Sequence, residues 1–380
     1  MKIAISGGHL TPALAVIEEL FSKEADLQIL FLGTKHTLEN EKTLSLEYKT
    51  VTQIKNVEFF SVTSGKWQRY FTLRNLLTPA LVLIGFFQAL GKLKKEQPQV
   101  IVVFGGYLSV PVVIAGWLLR IPIVMHEQTR EVGLANKING LLANRICLSF
   151  AESQKYFRAQ KTVLTGNPLR KSIINPLPYP ELSTFLKQGE KLPVIFVTGG
   201  NQGAHFINQK IREILPELLS LYQVIHQCGS SEIYQDFSAL NTAVKCLDFT
   251  KQRRYLLVKQ FSSELIGAVY QSSDLIISRG GINSISEILF FQKRAIVVPL
   301  PFSQKNEQWK NGKYLESVGL GKVVEQKDLV SATLLLESIK KIITQDKPLE
   351  RMVESLDFRF AAEKITQETL ACANAKHLKS

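Results

Sequence analysis

Residues 278–311 read SRGGINSISEILFFQKRAIVVPLPFSQKNEQWKN, and this stretch decides the fold class. The apolar run Leu275–Ile277 stops at Ser278-Arg279-Gly280-Gly281. Ile282, Ile285, Ile288 and Leu289 then recur at helical spacing, and Ala295–Pro299 is a second apolar run of strand length. Strand, glycine turn, helix and strand form one βαβ unit. Its glycine turn aims backbone N–H groups and the positive end of a helix at whatever lies above the sheet. Glu287, about one and a half turns into that helix, is placed to accept hydrogen bonds from a ribose diol. Gln304, Asn306, Glu307, Gln308 and Asn311 crowd the following loop with donors and acceptors suited to sugar hydroxyls. A nucleotide-sugar site is one reading of this stretch; an ordinary α/β crossover followed by a polar loop is the other.

The same pattern recurs outward from this unit. Lys2–Ile5 is a strand ending at Ser6-Gly7-Gly8-His9, with Thr11 expected to cap a helix whose first position is Pro12. The turn lacks the G-x-G-x-x-G spacing of a nicotinamide fingerprint. Val100–Phe104 ends at Gly105-Gly106-Tyr107, a helix is expected over 110–119, and strand Ile123–Met125 leads to His126-Glu127-Gln128-Thr129. Arg145–Leu148 is read as the last strand of the first half. After a proline-rich linker (Pro168, Pro176, Pro178, Pro180) the pattern restarts with strand Val194–Thr198, the loop Gly199–Ala204 and strand Val224–Gln227. A further strand comes from Val244–Asp248 or Tyr255–Val258, and helices are expected over 332–343 and 352–373. The fold class is α/β: two doubly wound parallel-sheet domains facing a cleft, over residues 1–167 and 168–350, with 351–380 a helix returning to the first domain.

Composition narrows the function classes. The chain has 380 residues, 45% of them apolar, enough for two cores. Cys147, Cys228, Cys246 and Cys372 are scattered, which speaks against a metal site or a disulfide framework and suits a reducing compartment. The N-terminus has no signal-peptide pattern, so a cytoplasmic location is expected. A net charge of +13 points to an anionic partner. Between Glu58 and Glu96 lie the cations Lys66, Arg69, Arg74, Lys92, Lys94 and Lys95 with no carboxylate, interleaved with aromatics such as Trp67, Phe86 and Phe87. Thr78-Pro79 is expected to open a helix, Ala80–Leu93, too short to span a bilayer but suited to dipping into an anionic interface. A buried core helix beside a solvated basic loop is the plainer alternative. No nucleic-acid-binding module accompanies the basic segment.

Taken in order, SGGHLTPALA, FGGYLSVP, IPIVMHEQ, TGNPLR, GGNQGA, SRGGINSISE and a PLP…Q-x-x-N loop resemble the MurG family of peptidoglycan N-acetylglucosaminyltransferases, in glycosyltransferase family 28. The resemblance covers nearly the whole chain. It implies the GT-B architecture of two Rossmann-like domains and an inverting reaction at the cytoplasmic face of the cell membrane, peripherally bound, with no cofactor and no catalytic metal. The donor would be UDP-N-acetylglucosamine and the acceptor lipid I, a polyprenyl-pyrophosphate-linked muramyl peptide, giving lipid II. The implied donor contacts are Ser6, Gly7, Gly8, Thr129, Arg170, Asn201, the segment Ile282, Asn283, Ser284, Ile285, Ser286 and Glu287, and Gln308. His9 is the implied base, with Glu127 as fallback base or acceptor-orienting group, and Tyr107 on the acceptor side. Lys66, Trp67, Arg69, Arg74, Phe86 and Phe87 would face an anionic inner-membrane surface. Val110, Val112 and Val113 stand where family glycines are expected, and Asn201 replaces a family serine. Two rivals share parts of this pattern: a UDP-N-acetylglucosamine 2-epimerase, and a membrane-bound nucleotide-sugar-binding subunit without activity.

Overall fold

The computed structural model describes residues 1–36, 44–63, 73–189, 191–344 and 358–377. The chain forms two compact units, Met1–Arg170 with Asp357–Ser380, and Lys171–Leu356.

In the first unit β1 (Lys2–Ser6), β2 (Gln28–Gly33), β3 (Val57–Ser61), β4 (Val100–Val103), β5 (Ile123–Glu127), β6 (Arg145–Leu148) and β7 (Thr162–Leu164) pair in parallel in the order β3-β2-β1-β4-β5-β6-β7. The strands are apolar almost throughout because both faces are covered, and alternate residues point to opposite faces. Ile3, Ile5, Ile29 and Phe31 join one cluster with Val16 and Leu20 of the helix Leu10–Lys23. Ala4, Leu30 and Leu32 join the other with Leu93, Val112 and Ala115. The final helix, Ala361–His377, adds Ile365 and Ala373 to the first cluster. Lys23–Glu363 at 3.0 Å and Arg145–Glu368 at 3.2 Å tie it to the same body.

The second unit has β8 (Val194–Thr198), β9 (Gln223–Gln227), β10 (Tyr255–Val258), β11 (Leu275–Ser278), β12 (Arg294–Val297) and β13 (Gly321–Val323), parallel in the order β10-β9-β8-β11-β12-β13. Both sheets therefore reverse their strand order once, between β1 and β4 and between β8 and β11. Open parallel sheets place ligands outside the carboxyl ends of the strands at such a reversal.

Several boundaries differ from expectation. The first helix starts at Leu10 with His9 as its N-cap, not at Pro12 after Thr11, and the His9 ring makes no capping bond. The helix expected from Pro79 runs over Leu73–Glu96 with Pro79 inside it. Arg145–Leu148 is not the last strand of its unit, since β7 lies outside it. Tyr255–Val258 is the strand, while 244–245 end the helix Asp236–Lys245. The last helix begins at Ala361, and residues 351–357 lie outside the described set. Val112 and Val113 are buried in the core beside β4 and β5.

Candidate functional site

In the first unit the turns after β1 and β4 meet backbone to backbone. Gly8 has φ +128°, and a Cβ there would lie 2.0 Å from the Gly105 carbonyl oxygen, so no other residue fits without displacing the neighbouring turn. The Gly7 N–H donates to the Leu32 carbonyl at 3.0 Å, and the Gly8 N–H donates to Glu47 Oε1 at 2.9 Å. Glu47 also accepts from the Thr34 N–H at 3.3 Å. An internal carboxylate thus sits in this nest of amides. Burial pushes its carboxyl group up from the ordinary glutamate value, while the two amides and the nearby His9 pull it down. The fully buried Ser6 ends β1, and its carbonyl accepts from Phe104 N–H at 3.4 Å.

His9 Nδ1 lies 2.5 Å from the Phe104 carbonyl oxygen. A carbonyl only accepts, so Nδ1 carries the hydrogen and the lone pair of the neutral ring is on Nε2. That bond draws the imidazole away from a capping position and sets the tautomer a general base needs. Tyr107, half-buried, follows Gly105-Gly106 in the adjacent turn.

Glu127 and Thr129 come together, but with each other. Glu127 Oε1 accepts from the Thr129 N–H at 2.9 Å and from its hydroxyl at 2.6 Å, and Oε2 accepts from Asn136 Nδ2 at 2.8 Å. With both oxygens engaged and 2% of the residue exposed, Glu127 organises the end of β5. Neighbouring His126 pairs with the Ser149 hydroxyl at 2.9 Å, and burial drives its pKa down to about 3, so it stays neutral. Arg170 is the last residue of the first unit.

In the second unit the strand-order reversal opens into a cavity of about 610 Å³. Gly199, Gly200, Gly203 and Ala204 line it from the turn after β8, Gly281 from the N-cap position of the helix Ile282–Phe290, and Ser284 from that helix's first turn. Gly203 has φ +87°, and a Cβ on it would lie 2.1 Å from the Cys228 carbonyl oxygen. Two helices, His205–Glu213 and Ile282–Phe290, start at this cavity, and neither has a side-chain N-cap among the described residues. Their first N–H groups and dipoles favour an anion there. Arg279 shapes the far wall: its guanidinium donates to the Val298 carbonyl at 2.9 Å and to Gln326 Oε1 at 2.7 Å. Burial lowers its pKa to about 10, which leaves it charged.

The segment Ile282–Glu287 divides by face. Ser284 lines the cavity, and Asn283 is half-buried. Ile282 and Ile285 are core residues, the Ser286 hydroxyl bonds back to the Ile282 carbonyl at 2.9 Å, and Glu287 is buried. Gln308 lines the cavity while its Oε1 accepts from the Leu300 N–H at 2.9 Å. Asn311, read as a sugar contact, instead donates from Nδ2 to the Gly280 carbonyl at 2.9 Å and is buried. Asn201 is exposed in the turn after β8, and its carbonyl accepts from the Ser230 N–H at 2.9 Å. Residues missed in the sequence are Glu47, Arg279, Gln326, and His205 with Tyr234. Arg279, inside SRGGINSISE, and His205, directly after GGNQGA, carried a signal that motif reading could have used.

The comparisons with known proteins agree with this layout. The glycosyltransferase family 28 N-terminal domain model matches residues 6–148, and the family 28 C-terminal domain model matches residues 194–368. A Bacillus cereus (strain ATCC 10987 / NRS 248) protein is 33% identical over 363 residues, covering 95% of this chain and 96% of the relative. The chain belongs to glycosyltransferase family 28. That relative is named UDP-N-acetylglucosamine--N-acetylmuramyl-(pentapeptide) pyrophosphoryl-undecaprenol N-acetylglucosamine transferase 2. A Clostridium perfringens (strain 13 / Type A) relative, named for the same transferase, is 35% identical over 352 residues, 92% of this chain and 90% of its own length. Among solved structures, Acinetobacter baumannii MurG has a TM-score of 0.70 at 22% identity, covering 97% of this chain and 99% of that one. The UDP-GlcNAc 2-epimerase of Neisseria meningitidis, bound to UDP-GlcNAc, has 0.62 at 14%, covering 98% and 100%. Both structural likenesses establish the GT-B fold shared by family 28 and the epimerases.

Proposed function

We propose that the chain transfers N-acetylglucosamine from UDP-N-acetylglucosamine to the muramyl sugar of an undecaprenyl-pyrophosphate-linked pentapeptide, the step from lipid I to lipid II in peptidoglycan synthesis. The observation that carries this is the second unit's cavity, framed by two uncapped helix N-termini, in a chain 33–35% identical over most of its length to relatives named for that reaction.

The second unit holds the donor. The turn Gly199–Ala204, with Asn201, and the first turn of the helix Ile282–Phe290, with Ser284, receive the diphosphate; Gln308 contacts the sugar and Glu287 the ribose. The first unit supplies the base. The acceptor hydroxyl gives its proton to His9 Nε2 as its oxygen bonds to C1 of the sugar, while the bond from C1 to the phosphate oxygen breaks and UDP leaves. The charge developing on UDP meets fixed dipoles and the Arg170 cation, and losing one such donor typically costs ~10²–10³ in rate. Glu127 acts by fixing the loop that carries Thr129, and Tyr107 lines the acceptor side. Ser6, Gly7 and Gly8 serve through the position they give His9, because the Gly7 and Gly8 amides are already bonded within the unit.

The acceptor's polyprenyl chain stays in a bilayer, so the enzyme docks peripherally on the anionic inner surface. Leu83 and Phe87 of the helix Leu73–Glu96, Trp117 and Leu118 of the helix Ser109–Leu118, and Leu134 and Leu141 of the helix Leu134–Leu142 are all exposed. These three helices pack side by side. Phe86 is half-buried and packs against the core behind them. Lys66, Trp67 and Arg69 fall outside the described residues, as does the side chain of Arg74. No helix among the described residues is long and apolar enough to cross a membrane.

Incubation with labelled UDP-N-acetylglucosamine and a lipid I analogue tests the proposal. Label appearing on the lipid supports it. A free 2-epimer with no lipid product would assign the chain to the epimerases, and binding without turnover would make it a non-catalytic subunit.

A further inference from the structure

One wall of the second unit's cavity is built by residues that neither the motifs nor the proposed donor contacts include. His205 and Tyr234 both line it. Their rings stack with centroids 4.0 Å apart and planes 13° from parallel. His205 Nδ1 lies 2.7 Å from Asp236 Oδ1. Asp236 is itself held from behind, since Asn208 Nδ2 donates to its Oδ2 at 2.7 Å. Asn208 Oδ1 lies 3.0 Å from His226 Nε2, and His226 Nδ1 lies 2.7 Å from the Tyr255 hydroxyl.

This chain of bonds has one consistent direction. An amide oxygen only accepts, so His226 carries its hydrogen on Nε2, and Tyr255 donates to Nδ1. Burial lowers the His226 pKa to about 3, so the ring is neutral and the direction stays fixed. The buried groups therefore orient the Asp236 carboxyl group towards His205 Nδ1. Tyr234 covers one ring face and restricts rotation about the His205 side chain. What remains is the ring's other nitrogen, Nε2, on a side chain 41% exposed beside the turn Gly199–Gly203. Once Nε2 is protonated, the imidazolium keeps its ion pair with Asp236 and presents one directed N–H donor, chemistry that matches a phosphate oxygen.

We infer that His205, positioned by Asp236 and stacked on Tyr234, is a further recognition residue for the anionic diphosphate of a nucleotide ligand in the second unit's cavity. The inference rests on the donor site proposed above and adds to it a side-chain hydrogen-bonding group where the turn itself offers only backbone dipoles. His205 would touch the ligand; Asp236 acts through His205 and is a positioning residue.

Calorimetric titration of the full chain with UDP and with uridine separates the outcomes, because uridine keeps the base and ribose but lacks the diphosphate. In the wild type UDP binds more tightly than uridine. His205→Gln weakens UDP binding by about tenfold, the scale of one charge-assisted hydrogen bond, and leaves uridine unchanged. His205→Lys, which restores a cation, recovers part of the preference for UDP, and Asp236→Asn shows the same selective loss as His205→Gln. Unchanged UDP affinity in His205→Gln overturns the inference and leaves the donor site standing. A parallel fall for UDP and uridine marks a purely structural role and also overturns it. A wild type that binds neither ligand removes the donor site and the inference together.

Discussion

The buried His226 gives the second unit a calculable response to acid. It is 0% exposed, bonded to Asn208 and Tyr255, and its pKa is about 3 in the folded chain. Unfolding returns it to the ordinary histidine value of about 6.5. The folded pKa is depressed, so the group's stabilising contribution is complete above pH ~6.5 and is lost as the pH falls towards the folded pKa, because only the unfolded chain takes up the proton in between. Between pH 7 and pH 5 the integrated loss is about 2 kcal/mol, with a limiting slope of about 1.4 kcal/mol per pH unit. The three tryptophans are Trp67, Trp117 and Trp309, and only Trp309 belongs to the second unit. Its fluorescence in a Trp67→Phe/Trp117→Phe background therefore reports that unit's denaturation. The assay is urea unfolding at pH 7 and pH 5 in this background, with and without His226→Gln. The substitution also removes a buried hydrogen-bond partner, at about 1–3 kcal/mol, but that cost is present at both pH values and cancels in the difference. The parent is expected to lose about 2 kcal/mol more than the variant on going from pH 7 to pH 5. Equal losses would refute the buried neutral imidazole, and with it the polar chain behind His205.

Other outcomes follow from the two turns and the exposed helices. His9→Gln keeps an amide near the Phe104 carbonyl but removes the base, and kcat is expected to fall by ~10²–10⁴ with little change in donor KM; near-normal turnover would exclude His9 as base. Gly203→Ala forces a Cβ within 2.1 Å of the Cys228 oxygen at φ +87°, so we expect about 1–3 kcal/mol of destabilisation in urea and weaker UDP binding. Intact stability and UDP affinity would show that the turn absorbs the methyl. Glu287→Gln should raise donor KM by about tenfold if the carboxylate bonds the ribose, and an unaltered KM would remove it from the donor contacts. Phe87→Glu, at a residue 61% exposed, should lower partition onto anionic vesicles by about tenfold, and co-sedimentation equal to wild type would move the membrane face elsewhere.

Local pattern alone determined much of this protein. Both faces of each sheet are covered, so the inner strands had to be short continuous apolar runs, and Val100–Val103, Val194–Thr198 and Leu275–Ser278 were legible as such. Glycines at their carboxyl ends marked the turns, and the order of those motifs marked the family. Of the four edge strands, only Tyr255–Val258 was among the readings of the sequence. Thr162–Leu164 and Gly321–Val323 contain no buried residue, and what makes each a strand is the neighbour it pairs with. The start of the first helix was also out of reach, because the His9 ring is held by a carbonyl 95 residues away.

The deciding difference between two similar turns came from tertiary structure. Ser6–His9 and Gly199–Ala204 both read as glycine turns that could receive phosphate. In the folded chain Glu47, from a short helix with no motif of its own, bonds the Gly8 amide, and Gly105 packs against Gly8. At the other turn Arg279 and Gln326 hold the far wall, and a cavity remains between two helix N-termini. An amide already bonded to a carboxylate is no longer free to receive a phosphate, and which amides are bonded depends on side chains far away in sequence.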